Sequence, residues 1–263
     1  MKIGFIGLGN MGAALAQAVS QQPDTHLLLS NYNPTKAKDI QAHLGGQLLS
    51  NKEIAEHAEV IFLGVKPHLV RTVLMDLQEQ IDQTPSTIWI SMAAGITLKS
   101  LAEYIPADQL VRIMPNTPVA IGQGMTTYSL SNQALALLLE QILEKSGQVQ
   151  QVPESLMDAA TAIAGCGPAF VYQMIEALMD AGVQSGLTAQ EAKVLAAQTL
   201  SGAAKMVLQS DKHPAQLRQE VTSPGGSTIA GVVALEKAGF RYAIIKAVVA
   251  ALKKNRKLGK KES

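Results

Sequence analysis

A glycine-rich turn near the start of the chain constrains the fold more strongly than any other feature. Residues 2–6 form a β-rich run, and residues 10–19 are helix formers with apolar side chains at helical spacing. Between them, Gly7, Gly9 and Gly12 have the Gly-x-Gly-x-x-Gly spacing that is typical of dinucleotide-binding proteins in this strand-to-helix context. Gly7 would allow the tight turn, Gly9 the approach of a pyrophosphate, and Gly12 close packing of the helix on the strand. The chain is therefore predicted to begin with a Rossmann-type domain.

The segment after the second predicted strand, residues 26–30, indicates which dinucleotide binds. About 20 residues past the glycines, an acidic side chain normally holds the ribose 2′-hydroxyl. This chain has Asn31, Asn33 and Lys36 there and no carboxylate. Amides and a lysine can hydrogen-bond a 2′-phosphate, which a carboxylate would repel. The sequence predicts NADPH as the cofactor, with NADH as the alternative, and Asn33 would at the same time cap the next helix.

Beyond that segment, β-rich runs alternate with helical ones as far as about residue 151. This alternation predicts an α/β fold with a mostly parallel, doubly wound sheet and helices on both faces. After Pro153 the strand signals stop, so residues 1–152 would form the Rossmann domain and residues 153–263 a helical domain. Further strands are predicted over residues 60–65, 88–92, 110–114, 125–129 and 148–152, and the late helices over residues 169–183, 188–209, 228–238 and 241–258.

Composition argues against several classes of partner. The formal net charge of +1 gives no reason to expect nucleic acid or a membrane surface, and no apolar run is expected to reach the length of a membrane span. One cysteine excludes an internal disulfide, and no His or Cys spacing matches a metal site. A cytoplasmic protein is expected. The terminal basic cluster, which includes Lys260 and Lys261, is predicted to be a solvated helix end.

The helical half is rich in Ala, Gly, Val, Met and Leu and carries few charges. Its helices are apolar over more of their circumference than the surface of a monomer would favour. This pattern predicts a homodimer formed through the C-terminal helices. The alternative is that these helices pack only among themselves within one chain.

A second glycine-rich segment, residues 222–231, predicts an anion site. Ser223 would cap a helix, Pro224 would be its first residue, and the two adjacent glycines would let a ligand approach the backbone. The N–H groups at such a helix start favour a carboxylate, and Thr228 adds a hydroxyl beside them. The alternative is that the segment is merely a tight helix start.

Three further motifs follow predicted strands, where the ligands of open α/β sheets collect. Neither Lys66 nor His68, both in the first motif, has the carboxylate or nucleophile partner of an acid–base or covalent catalyst. A hydride cofactor, an anion site and one hydroxyl together fit the reduction of a small, anionic and already reactive electrophile. The motifs are Gly64-Val65-Lys66-Pro67-His68, Ser91-Met92-Ala93-Ala94-Gly95 and Arg112-Ile113-Met114-Pro115-Asn116-Thr117-Pro118.

Through these motifs the chain resembles the pyrroline-5-carboxylate reductase family from Met1 to about Leu258. Ala164-Gly165-Cys166-Gly167-Pro168-Ala169 resembles the entry to that family's long dimerising helix. The most specific resemblance is Ser223-Pro224-Gly225-Gly226-Ser227-Thr228, which matches the family's signature region.

The resemblance implies NAD(P)H-dependent reduction of 1-pyrroline-5-carboxylate to L-proline, the final step of proline biosynthesis, by a homodimer or a larger ring. It implies that the substrate carboxylate lies on the signature segment of one subunit and faces a cofactor held by the other. Thr228 would be the catalytic residue, hydrogen-bonded to the ring nitrogen, whereas Glu220 receives no role. The substrate-binding residues would be Ser223, Gly225, Gly226, Ser227 and Thr228, and the cofactor-binding residues Gly7, Leu8, Gly9, Asn10, Met11, Gly12, Asn31, Asn33, Lys36, Asn51, Val65, Lys66, Pro67, Ala93 and Ala94.

Two other functions stay open at this point. A 3-hydroxyacid dehydrogenase shares the glycine-rich opening but needs a catalytic lysine in the helical half, for which Lys193 and Lys205 are the candidates. A protein that senses NADP without turnover would keep the fold and lose the activity.

Overall fold

The computed structural model describes residues 1–259, which form two compact units. One unit consists of Met1–Pro168 with the chain from Ala250 onward, and the other of Ala169–Val249. Lys260 and Lys261, predicted to be a solvated helix end, lie outside the described residues.

The first unit is built on an eight-stranded sheet with the order β3-β2-β1-β4-β5-β6-β7-β8. Every neighbouring pair is parallel except β6 and β7, so the predicted mostly parallel sheet is confirmed. The strands are β1 (Lys2–Ile6), β2 (His26–Ser30), β3 (Gln47–Leu48), β4 (Val60–Leu63), β5 (Ile88–Ser91), β6 (Leu110–Met114), β7 (Gly124–Leu130) and β8 (Gly147–Gln151).

Several helices begin at capping signals that the sequence shows. Ser50 and Glu53 form a capping box, and the hydrogen bonds from Ser50 hold the pKa of the Glu53 carboxyl below its usual value. Asn33 caps the helix that Pro34 opens. The helices are α1 (Asn10–Val19), α2 (Pro34–Leu44), α3 (Asn51–His57), α4 (Pro67–Asp76), α5 (Gln78–Gln83), α6 (Leu98–Leu101), α7 (Ala136–Leu143), α8 (Met157–Ala160), α9 (Gly167–Gln184), α10 (Ala189–Leu208), α11 (Pro214–Glu220), α12 (Ser227–Lys237) and α13 (Phe240–Gly259), with a π-helical turn over Thr161–Gly165.

Two apolar cores lie on opposite faces of the sheet. Successive residues of a strand point to opposite faces, and accordingly Phe5 belongs to one core and Ile6 to the other. In the first core the rings of Phe5 and Phe62 stack with their centroids 4.7 Å apart. The second core contains the fully buried Trp89. Helices therefore cover both faces, as a doubly wound fold requires.

The second unit is helical and exposes many apolar side chains. Tyr172, Leu195 and Met206 are each more than half exposed. Within Glu154–Gln184, an 18-residue window with a mean hydropathy of 1.3 is long and apolar enough, by length and composition alone, to cross a membrane. The sequence-based expectation that no apolar run reaches this length is therefore wrong, because residues 159–175 contain no charged side chain.

Candidate cofactor and substrate sites

The three glycines of the first turn differ in what the fold requires of them. Gly7 has a φ of +98°, and a methyl group on it would lie 2.7 Å from the Gly64 carbonyl carbon. A methyl group on Gly12 would overlap the Gly7 carbonyl oxygen. Gly9 has no atom within 4 Å of the position that a methyl group would take. The fold therefore needs Gly7 and Gly12, whereas Gly9 leaves open space at the start of α1.

The loops after the central strands leave the sheet at one edge. Parallel hydrogen bonding continues past the strand ends, since Gly7 N–H donates to the Ser30 carbonyl at 2.9 Å and Gly64 N–H to the Ile6 carbonyl at 2.8 Å. The glycine loop after β1 thus lies between the loops after β2 and β4. In open α/β sheets this carboxyl edge is where ligands bind.

The polar residues after β2 hold the loops together. Asn31 Oδ1 accepts a hydrogen bond from Leu8 N–H at 3.0 Å, which ties this segment to the glycine loop. Asn33 Oδ1 accepts from the N–H groups of Thr35 and Lys36, at 3.0 and 3.2 Å. Both amide oxygens therefore have partners within the protein, and Lys36, a half-buried residue, carries the only cationic side chain over residues 31–36.

The remaining predicted cofactor residues of this region lie at the ends of β2 and β4. Asn51, the first residue of α3, accepts a hydrogen bond from Ser30 Oγ at 2.6 Å. Lys66 is exposed and is the N-cap of α4, with an extended backbone, and Pro67 is the first residue of that helix. Val65 is partly buried against the second core. Gly64, to which the sequence assigned no role, matters because a methyl group on it would collide with the glycine loop.

Small residues follow β5. Ala93 is 2% exposed, and its N–H donates to Ser91 Oγ at 3.4 Å, whereas Ala94 is exposed. At the start of α1, Asn10 is exposed and Met11 packs against the first core. The structure thus brings the predicted cofactor residues to the loops after β1, β2, β4 and β5, to the helix starts that those loops lead into, and, for Asn51, to the start of α3 beside Ser30.

The motif after β6 has an internal role. The buried Asn116 donates to the Ala164 carbonyl in the π-helical turn at 3.0 Å and accepts from Met125 N–H at 2.9 Å. Arg112 forms an ion pair with Glu154 at 3.1 Å, and its side chain is 4% exposed. These side chains connect the end of β6 to β7 and to the chain around Glu154 and Ala164, all within the first unit.

The signature segment forms a turn before α12 rather than the first residues of the helix. Gly226 N–H donates to the Ser223 carbonyl at 3.1 Å, and Gly225 has a φ of +68°. Proline followed by a glycine with positive φ is the pattern of a type II turn. The prediction that Ser223 caps the helix and Pro224 opens it is therefore wrong, because Gly226 is the N-cap and Ser227 the first helical residue.

This helix start has unpaired donors. Gly226 offers no side-chain cap to α12, so the first N–H groups of the helix keep no side-chain partner, and Thr228 is exposed beside them. Two side-chain contacts stabilise the segment before this turn. Thr222 Oγ1 donates a hydrogen bond to the Arg218 carbonyl at 2.6 Å, and Lys212 forms an ion pair with Glu220 at 2.6 Å. The start of α12 can therefore accept an anion next to a hydroxyl.

The sheet, its glycine loop and the segment after β2 without a carboxylate are those of a Rossmann-type NADP-dependent oxidoreductase. The family described as "NADP oxidoreductase coenzyme F420-dependent" matches residues 2–95, and the family described as "Pyrroline-5-carboxylate reductase dimerisation" matches residues 154–258. The chain belongs to the pyrroline-5-carboxylate reductase family.

Relatives match over nearly the whole chain. The pyrroline-5-carboxylate reductase of Pisum sativum is 40% identical to this chain, and the match covers 97% of this chain and 95% of that protein. The pyrroline-5-carboxylate reductase of Methanosarcina acetivorans is 39% identical, and the match covers 99% of this chain and 98% of that protein. The crystal structure of the Plasmodium falciparum pyrroline carboxylate reductase with NADP bound superposes with a TM-score of 0.85, at 35% identity and 98% coverage of both chains. A pyrroline-5-carboxylate reductase from Coxiella burnetii superposes with a TM-score of 0.88, at 32% identity and 97% coverage of both.

Proposed function

We propose that this protein reduces 1-pyrroline-5-carboxylate to L-proline with NADPH, the last step of proline biosynthesis. The observation that carries the proposal is the start of α12, where uncapped N–H groups lie beside the Thr228 hydroxyl. A small imino acid presents a carboxylate and a ring nitrogen to match these groups. The 3-hydroxyacid dehydrogenase alternative needs a catalytic lysine, but both candidates, Lys193 and Lys205, are on α10 and belong neither to the loops at the sheet edge nor to the segment before α12.

We propose the following roles for the residues that bind the cofactor. Bound NADPH supplies the hydride, and the loops after β1, β2, β4 and β5 hold the dinucleotide. Gly9 gives the pyrophosphate room at the start of α1, Lys36 pairs with the 2′-phosphate, and Lys66 with Ala93 and Ala94 flanks the nicotinamide half. The further proposed contacts are Gly7, Leu8, Asn10, Met11, Gly12, Asn31, Asn33, Asn51, Val65 and Pro67.

The substrate is bound by the segment from Ser223 to Thr228. The backbone of Gly225, Gly226 and Ser227 receives the carboxylate, since a helix start favours an anion. The Thr228 hydroxyl hydrogen-bonds the ring nitrogen and so fixes which ring face receives the hydride. A protonated cyclic imine is already electrophilic, so orientation supplies most of the rate enhancement.

The exposed apolar helices support assembly with a second copy. We propose that residues 1–152 form the cofactor half and residues 153–263 the dimerisation and substrate half, so that each site combines two subunits. A second copy would cover the apolar side chains of the helical unit, which makes a soluble cytoplasmic homodimer the expected form. The match of the dimerisation family to residues 154–258 supports this division.

The test measures loss of reduced-nicotinamide absorbance with 1-pyrroline-5-carboxylate, in parallel with NADPH and NADH. Oxidation that is faster with NADPH is expected. Thr228→Ala should lower kcat/KM by about 100-fold, because it removes a group acting on the reacting nitrogen. Thr228→Ser keeps the hydroxyl and should retain most activity. A folded protein that binds NADP⁺ but oxidises neither cofactor would refute the proposal and favour the sensor.

A further inference from the structure

Tyr32 is the most exposed large apolar or aromatic side chain that the structure describes. Its exposure is 104%, against 76% for Leu208 and 75% for Ile121. Tyr128, by contrast, is buried and donates its hydroxyl to Glu140 at 2.6 Å. Among residues 1–259, the Tyr32 hydroxyl takes part in none of the hydrogen bonds. Its ring therefore stabilises nothing within the fold.

The backbone that carries this ring is nevertheless fixed on both sides. Asn31, the residue before it, joins the glycine loop through Leu8 and donates its Nδ2 to the Asn33 carbonyl at 3.1 Å. Asn33, the residue after it, caps α2, and Pro34 restricts the next φ angle. An unpartnered ring on an anchored segment is pre-organised for a ligand, because little backbone entropy remains to be lost on binding.

We propose that Tyr32 is the platform on which the adenine ring of the dinucleotide stacks. The inference rests on the proposed function only in requiring that the protein binds NADP(H). Tyr32 directly follows Asn31 at the carboxyl end of β2, and Lys36 and Asn51 lie at the same strand end. This end of the site takes the adenosine and its 2′-phosphate, while Lys66 and Ala93 lie after strands farther along the sheet.

The chemistry of the segment separates affinity from selectivity. Residues 31–36 contain no arginine, which could both stack on a base and pair with a phosphate. Tyr32 and Lys36 would divide these roles. A stacked ring contacts only the base, which NADP(H) and NAD(H) share, so Tyr32 should strengthen the binding of both equally. Lys36 contacts the 2′-phosphate and should strengthen the binding of NADP(H) alone.

The test is titration calorimetry on the full chain with NADP⁺, NAD⁺ and the fragment adenosine 2′,5′-bisphosphate. Tyr32→Ala should raise Kd about tenfold for all three ligands, within the range that base–aromatic stacking supports. Tyr32→Phe keeps the ring and should leave all three values unchanged. Lys36→Met is the matched control and should weaken the binding of the two ligands that carry a 2′-phosphate but not that of NAD⁺. Melting temperatures should not move in either Tyr32 variant, because the side chain is fully exposed.

Several results would refute the proposal that the adenine ring stacks on Tyr32. An unchanged Kd in Tyr32→Ala would refute stacking, and equal losses in Tyr32→Phe and Tyr32→Ala would assign the effect to the hydroxyl. A loss of affinity confined to NADP⁺ and the bisphosphate would make Tyr32 a ligand of the 2′-phosphate. Because these are binding measurements, a wild-type protein that binds NADP⁺ but reduces no imine would refute the proposed function and leave this inference standing.

Discussion

Separate substitutions of Gly9 and Gly12 distinguish a glycine kept for a ligand from one kept for the fold. In Gly12→Ala the new methyl group meets the Gly7 carbonyl oxygen, which belongs to the backbone and cannot rotate away. Overpacking of this kind costs about 3 kcal/mol, and the better helix propensity of alanine returns about 1 kcal/mol. The net loss of about 2 kcal/mol should lower the melting temperature by about 4–8 °C.

In Gly9→Ala the methyl group meets no protein atom, and the φ of −61° suits alanine. The lower preference for alanine at an N-cap and the reduced entropy of the unfolded chain nearly cancel, so stability should change by less than about 0.5 kcal/mol. The methyl group instead occupies the space proposed for the pyrophosphate, and Kd for NADP⁺ should rise at least about tenfold.

The assay pairs thermal unfolding of the ligand-free proteins with calorimetric titration of NADP⁺. Gly9→Ala should unfold like the wild type and bind poorly, whereas Gly12→Ala should unfold early. Equal destabilisation by Gly9→Ala and Gly12→Ala would contradict the different roles of the two glycines. Wild-type affinity of Gly9→Ala for NADP⁺ would contradict the proposed pyrophosphate position.

Two further predictions concern buried polar groups. Arg112→Met leaves the Glu154 carboxylate without its cation and should lower the free energy of unfolding by about 2 kcal/mol, less than for a fully buried pair because Glu154 is 30% exposed. Arg112→Met combined with Glu154→Gln should recover part of that loss in urea unfolding, and equal stability of the two variants would contradict the pairing. The pKa of Tyr128 is raised from 10.0 to about 12, mainly because the side chain is buried and secondly because it donates a hydrogen bond to Glu140. The folded state therefore holds this proton more tightly, so the stabilisation is complete below pH 10 and is lost as the pH rises towards 12. Tyr128→Phe should lack that decline in urea unfolding, and an identical decline would refute the assignment.

The first elements were predictable because their signals are local. The strands over Lys2–Ile6 and His26–Ser30 and the helix over Asn10–Val19 have the predicted bounds. The strand predicted over residues 60–65 was too long, since apolar residues continue after the backbone has left the sheet at Gly64.

Long-range pairing and ambiguous turns were harder to predict. The antiparallel pairing of β6 and β7 had one signal, the short connection over residues 115–123, because a parallel crossover needs a longer segment. The signature turn was misassigned because the φ of Pro224 suits both a helix start and a turn, and the sequence does not reveal the φ of Gly225. The helix over Pro214–Glu220 was missed because it is largely polar and His213, an unusual residue there, caps it.

The exposed apolar side chains of the helical unit make protein concentration a variable of stability. In a monomeric chain, apolar side chains such as Leu195 and Met206 are exposed to water. Association of the proposed dimer would then stabilise the folded state by mass action, so dilution should lower the melting temperature without any change in sequence. In a cell that makes little of this protein, a larger fraction of the chains would thus be dissociated and less stable.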